Sequence, residues 1–185
     1  TLALVREGRG LELKAERLIL ATGATENALA FPGWTLPGVM GAGAAQTLIN
    51  LHRVAPGRKA LMVGSGNVGL IVGYQLLQAG IKLEALVEAA PSIGGDTVHA
   101  SKLARHGVRV LTSTTIKEAR GVEKVQEAVT VSVDESWDHV PGTERSFEVD
   151  MVCLAVGLSP LNELARLAGC EFKYVPELGG HVPLH

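Results

Sequence analysis

The order of apolar and polar positions divides the chain into stretches of different period. Leu2 to Val5 and Leu11 to Lys14 read as short strands around a turn at Gly8 to Gly10, and Arg17 to Leu20 as a third strand entering the loop Ala21-Thr22-Gly23. Between Phe31 and Gly43, the residues Pro32, Gly33, Pro37, Gly38, Gly41 and Gly43 interrupt every period, which predicts a linker or domain crossing. Ala44 to His52 follows as a helix. From Lys59 the pattern becomes a buried strand (Ala60 to Val63), a glycine loop (Gly64 to Gly69), a helix (Leu70 to Ala79) and a second buried strand (Ile81 to Val87). Gly80 stands where a helix C-terminal glycine is expected. Thr97 to His106 predicts another helix and Val108 to Leu111 a third parallel strand, so the order is βαβαβ. The later segments Thr114 to Ala119, Val129 to Val133 and Ser146 to Val149 are β-prone and separated by polar turns that include Pro141-Gly142. They predict an antiparallel meander, after which Met151 to Val156 forms a buried strand running into Gly157.

Composition narrows the class without naming a chemistry. Hydrophobic residues at 46% and charged residues at 19% are the balance of a folded globular chain. The net charge of -2, with no Lys/Arg block, predicts no nucleic-acid partner. Apolar stretches such as Ala60 to Val63 and Gly69 to Ala79 break off well before membrane-spanning length, so no membrane partner is expected. Thr1 to Glu16 has scattered charges and no signal-peptide core, and Cys153 and Cys170 read as reduced core residues; both predict a cytoplasmic protein. The missing initiator Met predicts a chain cut from something longer.

Gly64-Ser65-Gly66-Asn67-Val68-Gly69 fits G-x-G-x-x-G, a pattern that chance alone would supply roughly 0.3 times in a chain this rich in glycine. Context gives it weight: it follows an apolar strand, opens a helix, and precedes a second strand ending at Glu88, 19 residues beyond Gly69. In such a unit Gly64 permits the tight turn, Gly66 lets the pyrophosphate of a dinucleotide approach, and Gly69 lets the helix pack closely on the strand. Amides near Asn67 and Val68 would face the phosphates at the positive end of the helix. Glu88 would accept hydrogen bonds from the adenosine ribose and repel a 2′-phosphate. No Arg or Lys follows in Ala89-Ala90-Pro91-Ser92, so NAD is favoured over NADP.

Two further segments share one form: Arg17 to Ala24 and Asp150 to Gly157 each run from a polar residue through a buried strand and a small residue to glycine. With these motifs in this order, the chain resembles the FAD-dependent pyridine nucleotide-disulfide oxidoreductase superfamily. Within it, Pro37 to Gln46 and the tail Gly169-Cys170 to Pro183 are similar to the α subunits of sarcosine oxidase, opine oxidase and hydrogen cyanide synthase. The resemblance implies an α/β fold, a three-layer ββα FAD/NAD(P)-binding (Rossmann-like) domain with a parallel sheet and an antiparallel β-meander. It implies that residues 1-40 are a remnant of the FAD-binding domain with its linker at Phe31 to Val39, that 41-157 are the NAD-binding domain, and that 158-185 return toward the FAD-binding domain. It adds Thr22, Gly23 and Gly157 to the cofactor-binding residues Gly64, Ser65, Gly66, Asn67, Val68, Gly69 and Glu88. It further implies hydride exchange between nicotinamide and FAD in an amine- or amino-acid-oxidising enzyme, and an oligomer with a second, flavin-bearing subunit. The alternative is a structural nucleotide module holding NAD, ATP or ADP without redox turnover.

Several chemistries are not expected. No glycine-rich loop precedes Gly23, so FAD belongs to the full-length protein and this chain alone should not hold it. No C-x-x-C is present for dithiol chemistry. Neither Tyr74 nor Tyr174 has Lys four residues later, Ser65 is not in G-x-S-x-G, and His181 with His185 lacks further metal ligands. No catalytic proton donor or nucleophile stands out.

Overall fold

The computed structural model describes every residue except Gly179 and His185, and Glu177 by its backbone alone. It divides into two compact units: Glu26–Leu158, and Thr1–Thr25 with Ser159–His185. The strands β3 (Ala24–Glu26) and β12 (Leu158–Pro160) carry the chain from one unit to the other.

In the larger unit a five-stranded parallel sheet has the order β4-β11-β5-β6-β7. Its strands are β4 (Val39–Gly41), β5 (Lys59–Val63), β6 (Lys82–Val87), β7 (Arg109–Leu111) and β11 (Met151–Leu154). Helices α1 (Ala42–Asn50), α2 (Asn67–Gln78) and α3 (Thr97–Arg105) belong to one layer, and β8 (Thr114–Arg120), β9 (Glu127–Ser132) and β10 (Arg145–Glu148) form the antiparallel meander of the other. The α/β three-layer architecture is thus the one the resemblance implied, with the βαβαβ order and the meander that the pattern predicted.

The continuous apolar runs of the central strands follow from burial on both faces. Side chains alternate along a strand, so Ala60 and Met62 of β5 with Met151 and Cys153 of β11 join Leu70, Leu76 and Leu103 of the helices in one core. Leu61, Val63, Val152 and Leu154 face the opposite way and join Ile116, Ala128 and Phe147 of the meander in the second. A register irregularity between Ala60 and Leu61 lets Leu83 and Leu86 of β6 reach the helix core while Ala85 and Val87 reach the meander core.

The segment rich in Pro and Gly does more than connect. Phe31 is 8% exposed in the meander core, the Pro32 carbonyl accepts from Ala119 N at 2.9 Å, and the Pro37 carbonyl accepts from Val125 N at 2.9 Å. Its last residues become β4, an edge strand beside β11 that the pattern did not predict. The residues expected as a linker at Phe31 to Val39 therefore pack inside the larger unit, and the change of unit comes earlier, at Thr25.

In the smaller unit β1 (Leu2–Arg6) and β2 (Arg9–Leu13) form a hairpin turning at Glu7 and Gly8, both with positive φ (51° and 74°). Arg17 to Leu20, expected as a strand, is not one. Leu18 and Ile19 are exposed, and no strand among the described residues offers this backbone a ladder. After the short helix α4 (Glu163–Leu167), β13 (Phe172–Val175) pairs with β14 (Gly180–Pro183). Gly179 of the tail motif lies outside the described residues.

Candidate functional site

The junction between β5 and α2 is built from three glycines with three different surroundings. Gly64 has φ +103°, and a Cβ there would overlap the carbonyl oxygen of Ala155 at the end of β11. A Cβ at Gly69 would overlap the Gly64 carbonyl, so the first turn of α2 rests directly on the strand end. Gly66, the N-cap of α2, is different: its φ of -62° suits any residue and a Cβ would have no atom within 4 Å. The space is in front of a helix start, not inside the packing. No side chain caps α2 and no acidic residue lies in its first turn, so the amides of Asn67 and Val68 have no intrahelical acceptor; both residues are exposed. This is an arrangement suited to an anion.

Glu88 follows β6 immediately and is fastened to the same loop. Its Oε2 accepts from Ser65 N at 2.8 Å and Ser65 Oγ at 2.6 Å, and its Oε1 accepts from Ala90 N at 2.9 Å. Ser65 is fully buried, which is why the motif tolerates a hydroxyl here: the carboxylate satisfies it. Three donors leave one acceptor position, on Oε1, for a ligand. The segment after Glu88 closes over the loop as well. Gly94 N donates to Ser65 Oγ at 2.9 Å, Gly95 N to the Ser65 carbonyl at 2.9 Å, and Asp96 N to Asn67 Oδ1 at 2.8 Å. Sequence reasoning missed this strap; the pair Gly94-Gly95 was its available signal, since a Cβ at Gly95 would lie 2.8 Å from Asn67 N.

At the end of β11, Ala155 N donates to the Val63 carbonyl at 2.7 Å, and Gly157 has φ +120° with its carbonyl accepting from Asn27 N at 3.0 Å. A cleft of about 630 Å³ runs along the carboxyl ends of β5, β6 and β11, bordered by Gly64, Glu88, Ala155 and Val156. Its far walls come from Phe31 and Pro32 and, on the meander side, Lys117 and Trp137. Lys117 is a cation that the local sequence around Glu88 did not disclose, and it is paired with Glu144 at 2.8 Å. The structure thus brings Gly64 to Gly69, Glu88 and Gly157 to one end of the sheet. Thr22 and Gly23 belong to the smaller unit, where Thr22 Oγ1 donates to the Leu161 carbonyl at 2.9 Å and the Gly23 carbonyl accepts from Leu161 N at 3.0 Å.

Among the described residues, the cysteines and histidines form no comparable arrangement. Cys153 is buried in β11, and burial, assisted by the charge of Glu26, pushes its thiol up to about 12. His181 packs edge-on against Tyr174 at 5.3 Å, and His185 lies outside the described residues. No helix among the described residues is long and apolar enough to cross a membrane.

A model of the pyridine nucleotide-disulphide oxidoreductases matches residues 1–176. An opine oxidase subunit from Agrobacterium tumefaciens (strain Ach5) is 29% identical, over 96% of this chain and 37% of its own length. Hydrogen cyanide synthase subunit HcnB of Pseudomonas aeruginosa is 31% identical, over 88% of this chain and 39% of its own length. Among solved structures, a FAD-dependent pyridine nucleotide-disulphide oxidoreductase from Desulfovibrio vulgaris superposes with a TM-score of 0.62 at 29% identity, over 93% of this chain and 43% of that one. The chain therefore spans about two fifths of the length of these proteins.

Proposed function

The chain belongs to the pyridine nucleotide-disulphide oxidoreductase family, and from that premise we propose that it is the NAD(H)-binding portion of a flavin-dependent oxidoreductase. The observation that carries the proposal is the open space at Gly66, the N-cap of α2, where the helix-start amides of Asn67 and Val68 have no intrahelical acceptor. A pyrophosphate fits there because its charge meets N–H donors and the positive end of a twelve-residue helix. The adenosine ribose would meet the remaining acceptor position of Glu88, and the nicotinamide end would lie toward Ala155 to Gly157. When bound, the nicotinamide supplies hydride exchange with FAD. This chain's residues hold and orient it, and none of them is needed to carry a proton.

A fixed carboxylate at Glu88 supports NAD over NADP. The family likeness to amine- and amino-acid-oxidising enzymes supports a substrate of that class, FAD held in the full-length protein, and a flavin-bearing partner subunit. Calorimetric titration of the chain with NAD and NADP tests the site: NAD should bind at one site and NADP much more weakly, and equal affinities would remove the role given to Glu88. Rapid mixing of the flavin-loaded enzyme with NADH tests the chemistry. Fast bleaching of the flavin is expected, whereas a nucleotide that stays bound without reducing flavin would assign the site a structural role instead.

A further inference from the structure

The turn joining β9 to the strand-like residues before β10 is unusually well fixed for a surface loop. Asp134 Oδ1 accepts from Ser136 N at 2.9 Å and Asp138 N at 3.0 Å, Asp134 N donates to the Asp138 carbonyl at 3.0 Å, and Trp137 N donates to the Asp134 carbonyl at 3.1 Å. The result holds Trp137 at φ +67° with 62% of its surface exposed. A large side chain in the left-handed region is an outlier that its surroundings must impose. An indole held in this way in solvent serves no core.

Its position is set by a chain of backbone bonds leading from the end of β6. Ser113 N donates to the Ala90 carbonyl at 2.9 Å, Thr114 N to the Glu88 carbonyl at 2.9 Å, and Val133 N to the Ser113 carbonyl at 2.8 Å; Val133 then bridges to His139. Trp137 and His139 line the same cleft as Glu88, from its meander wall. A ribose held by Glu88 would carry its base into this part of the cleft, which Ala89 and Ile116 also line. Indole offers the broad apolar face on which a two-ring purine stacks.

We propose that Trp137 is the stacking wall for the purine ring of the bound nucleotide, so that the turn at 134–138 grips the adenine end of the ligand. The proposal rests on the nucleotide-binding reading above and adds a positioning residue to it.

The chain carrying Trp34→Phe leaves Trp137 as its single tryptophan. Titration with ADP, which has the purine but no nicotinamide, should quench its fluorescence saturably. Trp137→Ala should weaken ADP binding about tenfold, within the range of base–aromatic stacking, while Trp137→Phe retains most of the affinity. Nicotinamide mononucleotide should bind the native chain and Trp137→Ala alike. If calorimetry detects ADP binding without quenching and with equal affinity in Trp137→Ala, the stacking role is overturned and the nucleotide site stands. If neither ADP nor NAD binds the native chain, both readings fall. Should Trp137→Ala lose its cooperative melting, the quenching and the Trp137→Phe affinity decide the matter.

Discussion

Replacing each glycine of the β5–α2 loop by alanine should separate folding from binding, because the three positions offer a methyl group three different environments. At Gly64 it meets the Ala155 carbonyl at a φ of +103°, so backbone strain of about 1–3 kcal/mol adds to a steric term of similar size. Gly64→Ala should thus lose roughly 2–6 kcal/mol, or about 4–24 °C in Tm for a chain of this length. At Gly69 the overlap with the Gly64 carbonyl costs about 1–3 kcal/mol, partly offset by roughly 1 kcal/mol of helix propensity. At Gly66 the methyl group has no neighbour within 4 Å. Its small N-cap penalty is offset by about 0.4–1 kcal/mol from a less flexible unfolded chain, so Tm should barely move. Binding should respond differently at Gly66. The methyl group stands where a pyrophosphate must approach, and losing one charged hydrogen bond of about 1.5–3 kcal/mol weakens NAD by roughly 10- to 150-fold. Thermal melting and calorimetric titration of the three variants side by side supply the measurement. The reasoning is refuted if Gly66→Ala melts as early as Gly64→Ala, or if it binds NAD with native affinity.

Glu88→Ala removes the acceptor for Ser65 and Ala90 and, with it, the proposed ribose contact. NAD affinity should fall by about 1–3 kcal/mol, the NAD/NADP ratio should move toward one, and Tm should drop as well, which distinguishes this variant from Gly66→Ala. Unchanged NAD binding would reduce Glu88 to a structural clasp. The chain purified alone should lack stoichiometric FAD, to be checked by its visible absorption; one tightly held flavin per chain would overturn that expectation. With the Cys153 thiol pushed up to about 12 and buried, it stays protonated near neutral pH, so a thiol reagent at pH 8 should modify Cys170 alone until denaturant is added. Two fast-reacting thiols in the native chain would contradict the burial.

The sheet and its two covering layers were legible in the sequence because they rest on local rules. Strands buried on both faces must be apolar throughout, as in Ala60 to Val63 and Met151 to Leu154, and a helix packed closely on a strand end needs glycine where Gly64 and Gly69 stand. Other features depend on residues far apart along the chain, and no local period encodes them. Val39 to Gly41 became a strand because β11, more than a hundred residues later, offers its edge, while Arg17 to Leu20 had the composition of a strand but no such partner among the described residues. Glu88 could be located by its 19-residue spacing from Gly69. That its carboxylate is already two hydrogen bonds committed to Ser65 was decided only when β5 and β6 lay side by side. Lys117 and Trp137 likewise have no motif; they reach the cleft because the meander packs on the sheet face through Leu61, Val63 and Val87. Local sequence set the periods and the glycine positions, whereas tertiary packing chose partners for backbone and side chains, since a hydrogen bond or a cleft wall requires two segments and only the folded chain brings both together.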